Sequence, residues 1–220
     1  MAFKGAIFDL DGVIVDTVPL HFSAWKKLFE GTFNIPFDMK IYEEKVDGIP
    51  RLDAIRRMLP DLSEEEVVKA GDIKQGYYLE MLRSGKLKKF PPAFRLLKEL
   101  LEHNILLAAA SSSKNTKEIL KTTGIINDFT TIIDGYDIVH GKPDPEIFLK
   151  AAAGLKLDVS ECVVFEDSIA GVEAAKAGGF LCVGIDRHHR PENYKKADLY
   201  VTDLENVNYE VLKNLFNVHA

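Results

Sequence analysis

Cysteine is scarce in this chain. There are two in 220 residues, Cys162 and Cys182, and both lie inside apolar runs. There they read as small core side chains rather than as a disulfide or metal ligands. Long apolar runs are missing as well, so no membrane-spanning segment is expected. The first apolar stretch, Ala6–Phe8, runs straight into Asp9 and Asp11. No secretory leader is expected from that pattern, and the expected location is cytoplasmic. Positive charge is in deficit: 28 Lys and Arg against 34 Asp and Glu give a net charge of −6. That balance argues against nucleic acid as a partner. The short basic cluster Lys86–Lys89 reads as a solvated surface. Internal repeats, low-complexity segments and long linkers are lacking. The expected protein is a monomer with a small-molecule partner.

What the chain does have is 46% apolar residues, enough for one large core or a core with a smaller second domain. Short buried strands are predicted at Lys4–Phe8, Ile105–Ala110, Thr131–Ile133, Cys162–Phe165, Leu181–Ile185 and Leu199–Val201. Helical spacing lies between them, at Ala93–Glu102, Asn115–Thr123 (with Asn115 as N-cap), a helix reaching Ala153, and Ile169–Ala177. Asp144 and Pro145 suit the N-cap and first position of the third of these. Gly178 suits the left-handed residue that ends the fourth. Strands alternating with helices predict an α/β fold, a parallel sheet covered on both faces. The stretch 16–88 breaks the alternation. It is helical almost throughout, over Leu20–Glu30, Arg51–Met58 and Ser63 to about Arg83, with a capping-box pattern at Ser63 and Glu66. It reads as a helical cap inserted after the first strand, with hinges near Asp16–Pro19 and Leu87–Pro92. The division expected is a core of residues 1–15 and 93–220 and a cap of 16–92.

Parallel sheets bind ligands at the carboxyl ends of their strands. After the first strand come Asp9-Leu10-Asp11-Gly12, and after the second Ser111-Ser112-Ser113. Lys142-Pro143 follows the third past a loop, and Glu166-Asp167 follows the fourth. Carboxylates, hydroxyls and one lysine at four strand ends are an inventory for handling phosphate with a hard cation. Two nearby carboxylates repel unless a cation or proton relieves them. Mg2+ would do so, through Asp9, the main-chain carbonyl of Asp11 and Asp167. Asp9 could then attack phosphorus in line, leaving Asp11 as general acid and base. Glu166 could ligate the metal through water or hold another ligand in place. Ser111, the Ser112 N–H and Lys142 could bind the transferring phosphoryl group. Each feature also has a plain reading: Asp-x-Asp in a loop, serines in a turn, a surface lysine, acids capping a helix. Their common placement on one sheet edge weighs against four separate coincidences.

Phe8-Asp9-Leu10-Asp11-Gly12-Val13, Ser111 after an apolar strand, Lys142-Pro143-Asp144-Pro145 and Val164-Phe165-Glu166-Asp167-Ser168 resemble, in order, the four motifs of the haloacid dehalogenase superfamily. The resemblance implies a Rossmann-like core with a helical cap inserted after the first motif. It also implies Asp9 as nucleophile, Asp11 as acid and base, Ser111 and Lys142 as phosphate binders and Asp167 as a metal ligand. Within the superfamily the chain resembles the β-phosphoglucomutase family: Asp16-Thr17 at the hinge, His21-Phe22-Ser23-Ala24-Trp25-Lys26 in the first cap helix, Ser111-Ser112-Ser113-Lys114-Asn115 at the second motif, and Gly48-Ile49-Pro50-Arg51 in a cap loop. That likeness implies interconversion of β-glucose 1-phosphate and glucose 6-phosphate through an aspartyl-phosphate. It also implies substrate and cap roles: Gly48 and Arg51 in the loop that grips the distal phosphate, Lys74 facing the active site, His21 orienting Asp11, and Asn115, at the end of the second motif, among the substrate residues. The bare residues allow plainer roles, His21 as a helix histidine beside Trp25, and Arg51 and Lys74 as solvated charges. Asp47 stands where the mutase loop carries lysine, and Val183-Gly184-Ile185-Asp186-Arg187 resembles mutase-like hydrolases. A phosphatase of sugar phosphates or pyrophosphate is therefore the alternative on the same fold. A binding or regulatory module with a dead site would lack Asp9, Asp11, Lys142 or Asp167, and all four are present.

Overall fold

A computed structural model describes residues 2–187 and 189–219. In chain order they form β1 (Gly5–Phe8), α1 (Val18–Thr32), α2 (Met39–Lys45), α3 (Arg51–Met58), α4 (Glu64–Arg83), α5 (Pro91–Glu102), β2 (Leu106–Ala110), α6 (Thr116–Thr123), β3 (Thr131–Ile133), α7 (Glu146–Leu155), β4 (Cys162–Glu166), α8 (Ile169–Ala177), β5 (Leu181–Ile185), β6 (Leu199–Val201) and α9 (Tyr209–Val218). Two-residue extended pieces, Val15–Asp16 and Lys88–Lys89, stand outside this sheet. The chain divides into two compact units. One runs to Asp16 and resumes at Lys89; the other is Thr17–Lys88. The second crossing, at Lys88–Lys89, lies within the hinge expected at Leu87–Pro92.

In the larger unit six strands form one sheet in the order β3-β2-β1-β4-β5-β6. Each neighbouring pair is parallel. The order explains the buried apolar runs: β1 and β4 have every residue buried, as strands covered on both faces must. Alternate residues serve opposite faces. Ile7, Ala108 and Val164 pack with Ile147, Phe148 and Ala151 of α7 and with Val172 and Ala175 of α8. From β1 the chain builds outward to β2 and β3 on one side, then crosses back to β4 on the other. β1 is therefore the switch point, and the crevice at its carboxyl end is where such sheets bind ligands.

In the smaller unit α1, α3 and α4 enclose a separate core of Trp25, Leu28, Phe29, Phe37, Ala54, Ile55 and Val67. α4 starts as the sequence predicts: the Ser63 side chain accepts from Glu66 N–H, and the Glu66 side chain accepts from Ser63 N–H. Such reciprocal capping contributes about 1 kcal/mol. Among the described residues no helix is long and apolar enough to cross a membrane.

Several local expectations change. α7 starts at Glu146, so Pro145 is the N-cap, while Asp144 accepts from Glu146 N–H at 2.9 Å. Asn115 stands at the N-cap of α6, but its side chain makes no capping bond; Thr116 instead donates to Ser113 O at 2.7 Å. α8 ends at Gly178, yet the left-handed residue is Gly179, with φ +81°. Two helices were not anticipated. α2 is seven residues long with one buried residue, too short for a clear period. α9 carries its signal openly: Asn208 caps it, and Leu212 and Phe216, four apart, are buried.

Candidate active site

The crevice is built from turns that leave adjacent strands. β1 ends at Phe8, whose partners are Ala109 on β2 and Phe165 on β4. Asp9 extends this register by donating its N–H to Phe165 O at 3.0 Å. Its side chain is thereby fixed between Ser111, after β2, and Glu166, at the end of β4. The chain then turns tightly. Gly12 N–H donates to Val15 O at 2.8 Å, and Ile14 and Val15 N–H both donate to Leu10 O. Gly12 takes φ +70°, and a Cβ there would collide with the Asp167 carboxylate. Glycine is needed for both reasons. The Asp9-Leu10-Asp11-Gly12 turn and Asp167 are in closest approach, although 158 positions separate Asp9 from Asp167 in the sequence.

Lys142 arrives from the loop after β3 and inserts its ammonium between two carboxylates. It donates to Asp9 Oδ1 at 2.6 Å and to Glu166 Oε1. All three groups are nearly inaccessible to solvent. The other Glu166 oxygen accepts from Ser168 N–H at 2.7 Å and from Ser168 Oγ at 3.0 Å. Glu166 thus braces Lys142. The loop itself is tied down by Glu146, which accepts from the N–H groups of Val139 and His140 and pairs with Lys150. Ser111 is buried; its hydroxyl accepts from Ser113 N–H at 3.2 Å. Ser112 is exposed, and Gly135 lies so close to Ser112 O that a side chain there would push it aside.

The charges do not balance. Asp9 and Glu166 share one ammonium, and the charges of Asp11 and Asp167 add to theirs in the same site. Burial, Glu166 and Asp11 push the Asp9 carboxyl up, Lys142 pulls it down, and the net is upward to about 7. Burial, Glu166 and Asp9 push Asp167 up to about 8. Lys142 is lowered by burial but raised more by Asp9 and Glu166, so it stays cationic. Surplus carboxylate oxygens, with no sulfur or imidazole donor among these residues, fit a hard divalent ion. Asp9 and Asp167 would be the residues to hold it, since Glu166 is engaged with Lys142 and Ser168.

The cap unit holds a second constellation. His21, Trp25, Tyr42, Val46, Asp47, Gly48, Ile49, Arg51 and Lys74 line a cavity of about 200 Å3. Lys74 is 3% exposed. Its ammonium meets His21 Nδ1 at 2.8 Å and lies over Trp25 and Tyr78. No carboxylate among the described residues pairs with it. Burial and the neighbouring Arg51 lower it to about 7. Burial and then Lys74 lower His21 to about 3, so its imidazole is neutral and Nδ1 accepts. Arg51, at the start of α3, donates to Gln75 at 2.6 Å, while its buried Nε has no hydrogen-bond partner. Gly48 has φ +70° and opens the loop that ends at Pro50. His21, Gly48, Arg51 and Lys74 therefore come together within the cap, and Asp9, Asp11, Ser111, Lys142, Glu166 and Asp167 within the core. Asn115 sits behind Ser113, its N–H donating to Ser113 Oγ. Sequence reasoning missed Ser168, Tyr194 and the anchoring part of Arg187. Tyr194 donates to the Asp167 main-chain oxygen. No spacing rule predicts such long-range backbone contacts.

The family of haloacid dehalogenase-like hydrolases matches residues 3–179. The chain is 35% identical to the β-phosphoglucomutase of Bacillus subtilis over 218 residues, covering 95% of this chain and 93% of that one. It is 34% identical to a phosphorylated carbohydrates phosphatase of Thermotoga maritima, over 80% of this chain and 82% of that one. Among solved structures, a β-phosphoglucomutase from Clostridium difficile superposes with a TM-score of 0.82 at 33% identity, covering 99% and 98% of the two chains. With relatives of both activities, the chain supports a phosphoglucomutase-like or phosphatase function. It belongs to the haloacid dehalogenase-like hydrolases, and within them to the β-phosphoglucomutase-like family.

Proposed function

We propose that this enzyme interconverts β-glucose 1-phosphate and glucose 6-phosphate, with a phosphoryl group resting on Asp9 between half-reactions. The observation that carries the reading is the cationic cavity within the cap. A mutase works through a bisphosphate, which has two anionic ends. The core offers carboxylate, lysine and hydroxyl groups for one. The cap, taken by itself, holds two cationic side chains, Lys74 without an acidic partner and Arg51 with a buried Nε still to be satisfied. Unpaired buried donors are costly unless a ligand uses them. A guanidinium can grip phosphate through two parallel bonds.

In the core, an Asp9 oxygen forms the new bond to phosphorus as the bond to the sugar oxygen breaks. Asp11 gives a proton to that leaving oxygen and later takes one from the incoming hydroxyl. Lys142, held by Glu166, keeps a positive charge beside Asp9 where phosphoryl charge spreads. Ser111 and the Ser112 N–H donate to the phosphoryl oxygens. When bound, Mg2+ supplies Lewis-acid neutralisation of phosphate charge.

The phosphatase reading keeps one observation in its favour. Asp47 lines the same cavity and accepts from Tyr42 OH at 3.0 Å, so a carboxylate faces the would-be anion site. The deciding experiment supplies β-glucose 1-phosphate, Mg2+ and a trace of β-glucose 1,6-bisphosphate. A mutase yields glucose 6-phosphate with little free phosphate. Release of phosphate at the rate of sugar phosphate loss decides for the phosphatase.

A further inference from the structure

We infer that Arg187 is a positioning residue for Asp11, acting through the main chain of the turn that Asp11 shares with Gly12. The inference rests on the reading of Asp11 as acid and base. Arg187 lies two residues past β5, on the same sheet edge as the site. Its Nε donates to Gly12 O at 2.8 Å. Its guanidinium lies on the Phe90 ring, 3.9 Å from the ring centroid. Phe90 is pinned in turn, its N–H donating to Ile14 O at 3.0 Å. The contacts close a ring from Arg187 to Gly12, along the turn to Ile14, across to Phe90 and back to Arg187. Gly12, the residue with the fewest backbone restraints of its own, is the one clamped. Its carbonyl belongs to the Gly12–Val13 peptide, one link beyond the peptide that joins Asp11 to Gly12, so holding it fixes the φ and ψ of Gly12 and with them the end of the turn from which the Asp11 side chain projects.

Arg187 is chemically suited to the task. A planar cation can stack on an aromatic face and donate in its own plane at once, which lysine cannot. The acids whose charges it feels are Asp167, Asp203 and Asp16. An arginine serving only as their counter-ion would point at a carboxylate, but this one is aimed at a main-chain oxygen.

The test uses the leaving group. When phosphoryl moves from β-glucose 1,6-bisphosphate to Asp9, the departing sugar oxygen needs the proton of Asp11. When it moves from acetyl phosphate, acetate departs without one. Single-turnover phosphorylation of Asp9 is followed with both donors and Mg2+, by quench and intact mass, in wild type, Asp11→Ala, Arg187→Ala and Arg187→Lys. Asp11→Ala should slow transfer from the bisphosphate by about 10²- to 10⁴-fold and affect acetyl phosphate far less. Arg187→Ala should lose roughly 10- to 100-fold with the bisphosphate, the scale of a small misplacement, and under about threefold with acetyl phosphate. The loss should lie in the saturated rate and not in half-saturation, and Arg187→Lys should fall between. Equal losses with both donors in Arg187→Ala would make the residue merely structural and overturn the inference. So would a normal rate with both. If Arg187→Ala fails to fold, Arg187→Lys carries the same comparison. Should Asp11→Ala show no dependence on the leaving group, the acid–base reading itself falls. If Asp11→Ala shows the dependence and neither Arg187 variant does, only the inference falls.

Discussion

Asp9 and Asp167 hold protons more tightly than ordinary carboxylates because burial and the neighbouring Glu166 charge disfavour ionisation. The consequence for stability has a definite sign. In the absence of Mg2+ these two carboxyls hold more protons in the native state than in the unfolded chain from near pH 4 to about pH 7 or 8, so their contribution to stability falls as pH rises through that window, against smaller opposite contributions from His21 at its acid end and Lys74 at its alkaline end. Chelated protein should melt at a lower temperature at pH 8 than at pH 5, and Mg2+ should raise the melting temperature more at pH 8, where its ligands ionise readily. Asp167→Asn should flatten the slope. A melting temperature that climbs across this range in chelated wild type, with the same slope in Asp167→Asn, would contradict it. Asp9→Asn is expected to keep the fold and lose at least about 10³-fold in turnover, since an amide cannot replace a carboxylate nucleophile. Activity above that level, with contaminating enzyme excluded, would remove Asp9 from the mechanism. These residues were legible in the sequence because each directly follows a strand or the loop after one. Arg187 and Tyr194 were not, since what they touch is backbone: the carbonyls of Gly12 and Asp167. A side chain that serves a distant peptide leaves no local pattern.

Among the elements, those with strong punctuation were read with their correct ends. β3, β5 and β6 match the predicted spans, as does α3, and α4 carries the capping box that Ser63 and Glu66 announced. The failures are weakly marked pieces. α2 has only Tyr42 buried, and beyond the correctly read end of α8 the left-handed residue is Gly179, one position past Gly178. The cap box lends itself to a clean measurement. Ser63→Ala removes the acceptor for Glu66 N–H on an exposed helix start, at a cost of about 1 kcal/mol. Denaturant melts should show that loss while single-turnover phosphorylation of Asp9 by acetyl phosphate stays at the wild-type rate. A change in that rate would give α4's first turn a part in chemistry that its contacts do not suggest.

For the whole molecule, the open choice is between mutase and phosphatase, and the cap is where the two part. Arg51→Ala should reduce mutase turnover severely and leave slow hydrolysis of acetyl phosphate nearly unchanged, because that donor has no distal phosphate. Coupled assay of glucose 6-phosphate formation beside phosphate release reads both. Equal loss of the two activities would assign Arg51 to the stability of the cap, through its bond to Gln75, and not to the substrate.

The position of β1 has a consequence during synthesis. It is the first strand made and the central strand of the sheet, yet its partners begin at Leu106 and Cys162. As the chain emerges from the ribosome, a four-residue apolar strand must wait, unpaired along both edges, while the helices of Thr17–Lys88 already have their own core to form. Vectorial folding therefore runs from the inserted unit outward, and the nascent chain carries an exposed sticky edge until β4 is complete. Ribosome-bound chains halted before Cys162 should recruit chaperones at Gly5–Phe8 and release them once β4 has cleared the exit tunnel.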